Sequence, residues 1–158
     1  MTYQITGLAP QDFAPLFVLS DAELAAQGAM RVTATGPGFP CRISLEDATP
    51  GEELLLLHHT SHDVATPYRS AYAIYVRKNA AAAASFTDTT PPVFAGRPLG
   101  LRGFDEGGIL RDAKLALPGG ADAAIRELFA NPAIAYIHAH NAAHGCFSAR
   151  IDRSGEPA

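Results

Sequence analysis

The sequence consists mainly of short strand-like runs that are separated by turns rich in glycine and proline. Residues 71–77 are rich in aromatic and β-branched side chains, as strands are. Residues 105–108 carry two glycines between two further runs, 99–104 and 109–117, which indicates a hairpin. Because strands joined by short turns pair antiparallel, the sequence predicts an α+β fold with a mixed but mainly antiparallel sheet.

Two short helices are expected within this sheet-rich chain. Ser20 and Glu23 form a capping box, which predicts a helix over residues 21–27. Residues 121–130 form the clearest helical pattern, because apolar residues recur at three-and-four spacing. The apolar face of that helix consists of Ile125, Leu128 and Phe129.

Length and composition limit the class of protein. The 158 residues suit one domain, and no repeat or linker divides them, so we expect a single domain over residues 1–158 with a frayed tail after Ser154. The net charge is -4 and no basic block is present, which argues against a nucleic-acid partner. No run of 18 apolar residues and no signal-peptide pattern occurs, so we expect no membrane association and a cytoplasmic location.

The two cysteines, Cys41 and Cys146, are too few for a disulfide scaffold, and free thiols are the expectation in a reducing compartment. The sequence has no CxxC, HExxH or GxSxG motif and no glycine-rich phosphate loop. Any site must therefore be found from the distribution of individual polar side chains.

A polar face is predicted on the last two strands, residues 133–140 and 146–153. His138 and His140 are two residues apart, so they point to the same face of a strand. If residues 141–145 form a five-residue loop, the facing pairs are His140 with Cys146, His138 with Ser148 and Tyr136 with Arg150. The other face then collects the apolar side chains of Ala135, Ile137, Ala139, Phe147, Ala149 and Ile151.

Three kinds of chemistry fit this polar face. Imidazole and thiolate groups could hold zinc through His138, His140 and Cys146, with Cys41, His62 or Asp63 as a fourth ligand. Alternatively, His140 could activate Cys146 as a nucleophile. A third interpretation is that Arg150 and the histidines hold an anionic small molecule, with Arg69 as a further anion clamp. Against all three stands the plain interpretation of solvated histidines and inert buried thiols.

Three segments of the chain resemble a family of small bacterial proteins catalogued as domain of unknown function twelve hundred and three. They are Pro-Cys-Arg at the start of residues 40–48, Pro-Tyr-Arg at the start of residues 67–77, and His-Ala-His-Asn with Gly-Cys-Phe within residues 136–147. The similarity extends over nearly the whole chain in the same order. It implies a bacterial, cytoplasmic, single-domain protein, and it supplies no activity.

The resemblance adds to the set of candidate site residues. The positions that match the family motifs are Cys41, Arg42, Tyr68, Arg69, His138, His140, Asn141 and Cys146. By the same comparison, His58, His59 and His144 fall outside the site. The resemblance identifies no cofactor and no resident metal.

These observations lead to a function hypothesis and one alternative. The hypothesis is a small-molecule-binding protein or enzyme, with His138, His140 and Cys146 as catalytic groups. The binding groups would be Cys41, Arg42, Tyr68, Arg69 and Asn141. The alternative is a non-enzymatic interaction or dimerisation domain, with a homodimer as its simplest form. The first hypothesis requires the catalytic groups to converge in a concave pocket near Arg69 or Cys41.

Overall fold

A computed structural model of the chain describes residues 1–155 of the 158. Nine strands, three short α-helices and two turns of 3-10 helix make up this part of the chain. The strands are β1 Thr2–Thr6, β2 Met30–Thr33, β3 Glu53–His62, β4 Ser70–Arg77, β5 Ser85–Thr87, β6 Leu99–Phe104, β7 Leu110–Ala116, β8 Tyr136–Asn141 and β9 Phe147–Ser154. The helices are α1 Ala14–Phe17, α2 Asp21–Ala26 and α3 Ala121–Phe129, and the 3-10 turns are Pro10–Asp12 and Pro92–Phe94.

The strands form two separate antiparallel sheets. The larger sheet has six strands in the order β5-β1-β9-β8-β6-β7, and the smaller has three in the order β2-β3-β4. The predicted α+β class is therefore confirmed. The sequence predicted one sheet, whereas the strands belong to two. The prediction missed this division because apolar patterns identify a buried face of a strand but do not identify its partner strand.

Each sheet has its own hydrophobic core. In the larger sheet, α3 covers one face through Ile125, Leu128 and Phe129, all of them buried, as its three-and-four spacing predicts. Ile137 and Ile151, which are paired across β8 and β9, are buried in the same core. The predicted helix over residues 121–130 is thus confirmed to within one residue.

The smaller sheet packs against the N-terminal helices. Leu24 of α2 is fully buried in a core with Leu55 of β3 and Ile74 of β4. The capping box is present, since the Glu23 N–H donates to the Ser20 side chain at 3.1 Å. The helix α1 was not predicted from the sequence, because its four residues are too few to show a period.

The segment between β2 and β3 connects the two sheets. Cys41 makes a parallel bridge with Tyr75 at the edge strand β4. Next to this segment, Gly7 donates its N–H to the carbonyl of Ala84 at 2.9 Å. A Cβ atom on Gly7 would lie 1.9 Å from the carbonyl oxygen of Ile43, so the close approach of these chains depends on glycine.

No helix in residues 1–155 is long and apolar enough to cross a membrane. The frayed tail predicted after Ser154 falls, beyond Gly155, outside the described residues.

Candidate functional site

The tip of the β8–β9 hairpin differs from its predicted register. Gly145 adopts a left-handed φ of 79° and donates its N–H to the carbonyl of Asn141 at 2.8 Å. This turn pairs His140 with Phe147, and an irregularity then shifts the ladder between Ala139 and His140. The observed pairs are therefore Tyr136 with Asp152, His138 with Arg150 and His140 with Phe147. The pairs predicted between His140 and Cys146, His138 and Ser148, and Tyr136 and Arg150 were wrong.

The predicted separation of the two faces survives in the body of the hairpin and fails at its tip. Beyond the irregularity the register differs from the predicted one by two residues, which leaves each side chain on its predicted face. Ile137, Ala139, Ala149 and Ile151 accordingly lie in the core. Phe147, which was expected in that core, instead packs against the ring of His138 at 5.1 Å between centroids.

Cys146 lies beside Asn141, on the side of the hairpin opposite to His140. Its Sγ accepts an N–H from the Arg42 guanidinium at 3.1 Å and one from the Asn141 amide at 3.4 Å. The other amide atom of Asn141, Oδ1, is buried without a hydrogen-bond partner, and the residue is only 7% exposed. In the described residues, no hydrogen bond joins Cys146 to a histidine.

Arg42 is a buried cation that reaches from the smaller sheet to the larger one. It is 2% exposed, and its remaining N–H groups donate to the carbonyls of Phe147 at 2.8 Å and Pro40 at 2.6 Å. Burial lowers the pKa of the Arg42 guanidinium, and the Cys146 sulfur acts in the opposite direction. No carboxylate of the described chain lies within ion-pair distance of Arg42, and the Cys146 sulfur is the side-chain atom that accepts its N–H.

A cleft of about 470 Å³ lies between the two sheets at this point. Cys146, Arg42 and Asn141 line it from the hairpin side. Residues of the smaller sheet line the cleft mainly with apolar surface, namely Leu56, Tyr72, Ala73 and Tyr75, and Pro98 adds to it. Volume and lining match those of ordinary small-molecule sites, in which a few polar groups orient a ligand against apolar walls.

Cys41 has a different environment from Cys146. Its sulfur is fully buried and accepts three backbone N–H groups, those of Ile43 at 3.3 Å, Ser44 at 3.4 Å and Arg77 at 3.3 Å. It lines none of the cavities described here. These contacts hold the Cys41 turn against β4 and so orient the adjacent Arg42.

His138 lies in a cluster of buried rings and not in the cleft. It is 2% exposed, and its ring contacts those of His62 at 4.9 Å and Phe147 at 5.1 Å between centroids. Burial lowers the pKa of His138 to about 3, so the ring is neutral at pH 7. Its Nδ1 is buried without a partner. His62 is satisfied at both nitrogens, by the Tyr68 carbonyl at 2.8 Å and the Tyr136 hydroxyl at 2.7 Å.

His140 lines a second, more polar depression of about 350 Å³. Its Nδ1 lies 3.0 Å from the carbonyl of Gly145, and its Nε2 lies 3.5 Å from the guanidinium of Arg102. Arg69 lines the same depression and is paired with Asp63. Tyr68 is partly exposed and lines neither cavity.

The predicted site residues are thus only partly brought together. Arg42, Asn141 and Cys146 meet in the cleft, His140 and Arg69 line the depression, and His138, Cys41 and Tyr68 line neither. Within residues 1–155 no three His, Cys, Asp or Glu side chains are grouped so that they could hold a metal ion. The zinc interpretation therefore has no preformed ligand set in this part of the chain.

Sequence reasoning missed three residues that line these cavities. Arg97 and Arg102 are isolated arginines, and a single arginine in a sequence carries no signal of its position. His144, which was placed outside the site, lines both the cleft and the depression. The sequence did carry a signal for His144. The predicted strands on either side place His144 in the hairpin loop, next to the candidate residues Asn141 and Cys146.

The comparisons with known proteins give one match. A family model described as Protein of unknown function (DUF1203) matches residues 38–153. No similar protein was found among curated sequences, and no similar solved structure was found.

Proposed function

The chain belongs to the DUF1203 family, and from its own side chains we propose that it binds a small molecule for which Cys146 is the reactive group. One observation carries the proposal. The Cys146 sulfur lines the cleft and accepts N–H groups from a buried cation, Arg42, and from Asn141. Reactive cysteines lie in such electropositive surroundings, whereas inert ones lie in apolar surroundings.

The charge of Arg42 supports a nucleophilic role for the sulfur. An arginine stays protonated in proteins, and a buried cation is costly unless a negative charge compensates it. No carboxylate of the described chain lies near the guanidinium, and the Cys146 sulfur is in direct contact with it at 3.1 Å. In the proposed reaction the sulfur attacks an electrophilic carbon with its electron pair, the thiol proton passes to water, and the leaving group departs with the pair of the broken bond.

Asn141 supports the binding of a ligand with a hydrogen-bond donor. Its Oδ1 lacks a partner although the residue is buried and lines the cleft. Buried polar atoms are normally hydrogen-bonded, so an unpaired acceptor in a cleft favours a ligand N–H or O–H at that point. The ligand's apolar part would pack against Leu56 and Tyr75.

The proposed reaction uses neither His138 nor His140. Neither ring lines the cleft, and burial keeps both neutral. A thiol that is stabilised by a guanidinium does not need a histidine base to become a nucleophile. The set of candidate catalytic groups therefore reduces to Cys146, with Arg42 and Asn141 as its partners.

The alternative, an interaction or dimerisation domain, has less support. The exposed Leu115 and Leu117 lie on or next to β7, the edge strand of the larger sheet. The same strand carries Arg111, Asp112 and Lys114, and charged side chains on an edge strand oppose pairing with a second copy.

The test is alkylation of the native protein with iodoacetamide at pH 7, followed by mass spectrometry of the two cysteine peptides. We expect Cys146 to be alkylated while the fully buried Cys41 stays unmodified, so Cys41 is the internal control. Asn141→Ala removes one N–H donor and should slow the alkylation of Cys146 roughly three- to tenfold. Asn141→Asp, of the same shape, should slow it further, because its carboxylate would pair with Arg42 and draw the guanidinium away from the sulfur.

Two results would contradict the proposal. One is a Cys146 that reacts no faster than Cys41 in the folded protein. The other is an Asn141→Asp variant that folds and reacts as fast as the unmodified chain, since the local charge would then not control the sulfur.

A further inference from the structure

The depression beside His140 contains an arginine that has no counter-ion. Arg102 on β6 is half-buried, and no carboxylate in residues 1–155 lies within ion-pair distance of it. Within residues 1–155, the one side-chain hydrogen bond of Arg102 is with His140, at 3.5 Å. The other arginine of the depression, Arg69, is already paired with Asp63. No acidic side chain lines this depression in the part of the chain that is described.

His140 contacts the guanidinium of Arg102 but does not neutralise its charge. Because His140 Nδ1 lies 3.0 Å from the Gly145 carbonyl oxygen, its proton is on Nδ1 and the lone pair of Nε2 faces Arg102. Burial, above all, lowers the pKa of His140 to about 4, and the charge of Arg102 acts in the same direction. The imidazole is therefore an orienting neutral acceptor, and the positive charge stays available.

The residues that line the depression indicate the chemistry of an anion that could pair with Arg102. Tyr72 and Phe147 supply aromatic surface to its lining. The hydroxyls of Ser61 and Ser70 already donate to backbone carbonyls, which leaves Arg102 as the main donor. One unpaired guanidinium matches the two oxygens of one carboxylate.

We propose that this depression binds the carboxylate of a small organic acid with an apolar or aromatic body, and that Arg102 is its anion-binding residue. The site is separate from the cleft of Cys146, with Tyr72 and His144 as a shared wall. A test of carboxylate binding in the depression is therefore independent of the reactivity of Cys146.

The test compares benzoate with its neutral isostere benzamide, by calorimetry or by NMR titration of the full chain. We expect benzoate to bind and benzamide to bind at least roughly tenfold more weakly, because a charge-assisted bond is lost. Arg102→Gln should weaken benzoate binding by a similar factor. Arg102→Lys, which keeps the charge but not the planar fork, should lie between the two.

Arg111→Gln is the matched control, because Arg111 is an exposed arginine that is bound to Asp105 and lines neither the cleft nor the depression. It should leave benzoate binding unchanged. The proposal is overturned if benzoate binds no better than benzamide, or if a folded Arg102→Gln variant binds benzoate as tightly as the unmodified chain. It is also overturned if inorganic phosphate binds through Arg102 and benzoate does not, which would assign the depression to phosphate esters.

Discussion

Two adjacent residues, Cys41 and Arg42, have buried polar side chains with different partners. The Cys41 sulfur receives three backbone N–H groups and is sealed from solvent, so its contacts are structural. Arg42 directs its guanidinium the other way, to the sulfur of Cys146 at the cleft. The Pro-Cys-Arg motif thus combines an anchor with a side chain that reaches the cleft.

Replacing Cys41 tests the anchor. Cys41→Ala leaves three buried or partly buried N–H groups without an acceptor, so we expect the free energy of unfolding to fall by about 2 kcal/mol. Cys41→Ser keeps an acceptor atom and should recover part of that loss. Urea unfolding of the three proteins measures the difference, and equal stabilities of the Ala and Ser variants would show that the N–H contacts contribute nothing.

The residue types of the site could be found in the sequence, but their partners could not. Cys146, Arg42 and Asn141 were all candidates, because they carry chemistry within matching segments. The contact between Arg42 and Cys146 spans 104 positions of the chain, and local patterns contain no information on such a pairing. The predicted partner of Cys146 was His140, which lies on the other side of the hairpin tip.

Strands and turns were more predictable than their pairing. Local composition and turn residues placed β4, β6 and β8 correctly to within a few residues, since both are properties of neighbouring positions in the chain. The β8–β9 register depended on the left-handed Gly145 and on the irregularity after Ala139, neither of which changes the alternation in the sequence. The division into two sheets likewise follows from contacts distant in sequence.

Gly7 offers a test of how closely the elements approach one another. Gly7→Ala places a Cβ 1.9 Å from the Ile43 carbonyl oxygen, so the chains must separate, and we expect a loss of about 2 to 4 kcal/mol in unfolding free energy. Gly36→Ala is the matched control, because a Cβ there meets nothing within 4 Å. Thermal or urea unfolding compares them, and equal effects of the two substitutions would refute the close approach.

The whole molecule should lose stability in mild acid. Burial lowers the pKa of His138 from 6.5 to about 3 and that of His140 from 6.5 to about 4. Between pH 6.5 and those values the unfolded chain binds more protons than the folded one. The contribution of each imidazole is therefore complete above pH 6.5 and falls by about 1.4 kcal/mol per pH unit as the pH is lowered.

Urea unfolding at pH 7, 6 and 5 measures this dependence. His138→Phe fits an aromatic cluster and removes one of the three imidazoles whose pKa burial lowers, the others being His140 and His59, so it should reduce the slope of stability against pH by roughly a third to a half. Phe147→Leu perturbs the packing of the same cluster without removing a titratable group, and it should lower stability at every pH with the slope unchanged. An unchanged slope in His138→Phe would contradict the assignment.

Arg42 has a consequence for how the protein opens. Its backbone N–H is bonded to Tyr75 at the edge of the smaller sheet, and its side chain is bonded to Phe147 at the start of β9 in the larger one. Because Arg42 is bonded to both sheets, separation of the sheets must break one of these two sets of hydrogen bonds. The Arg42 amide should therefore exchange its hydrogen with deuterated solvent only when the two sheets come apart together, as a single cooperative unit.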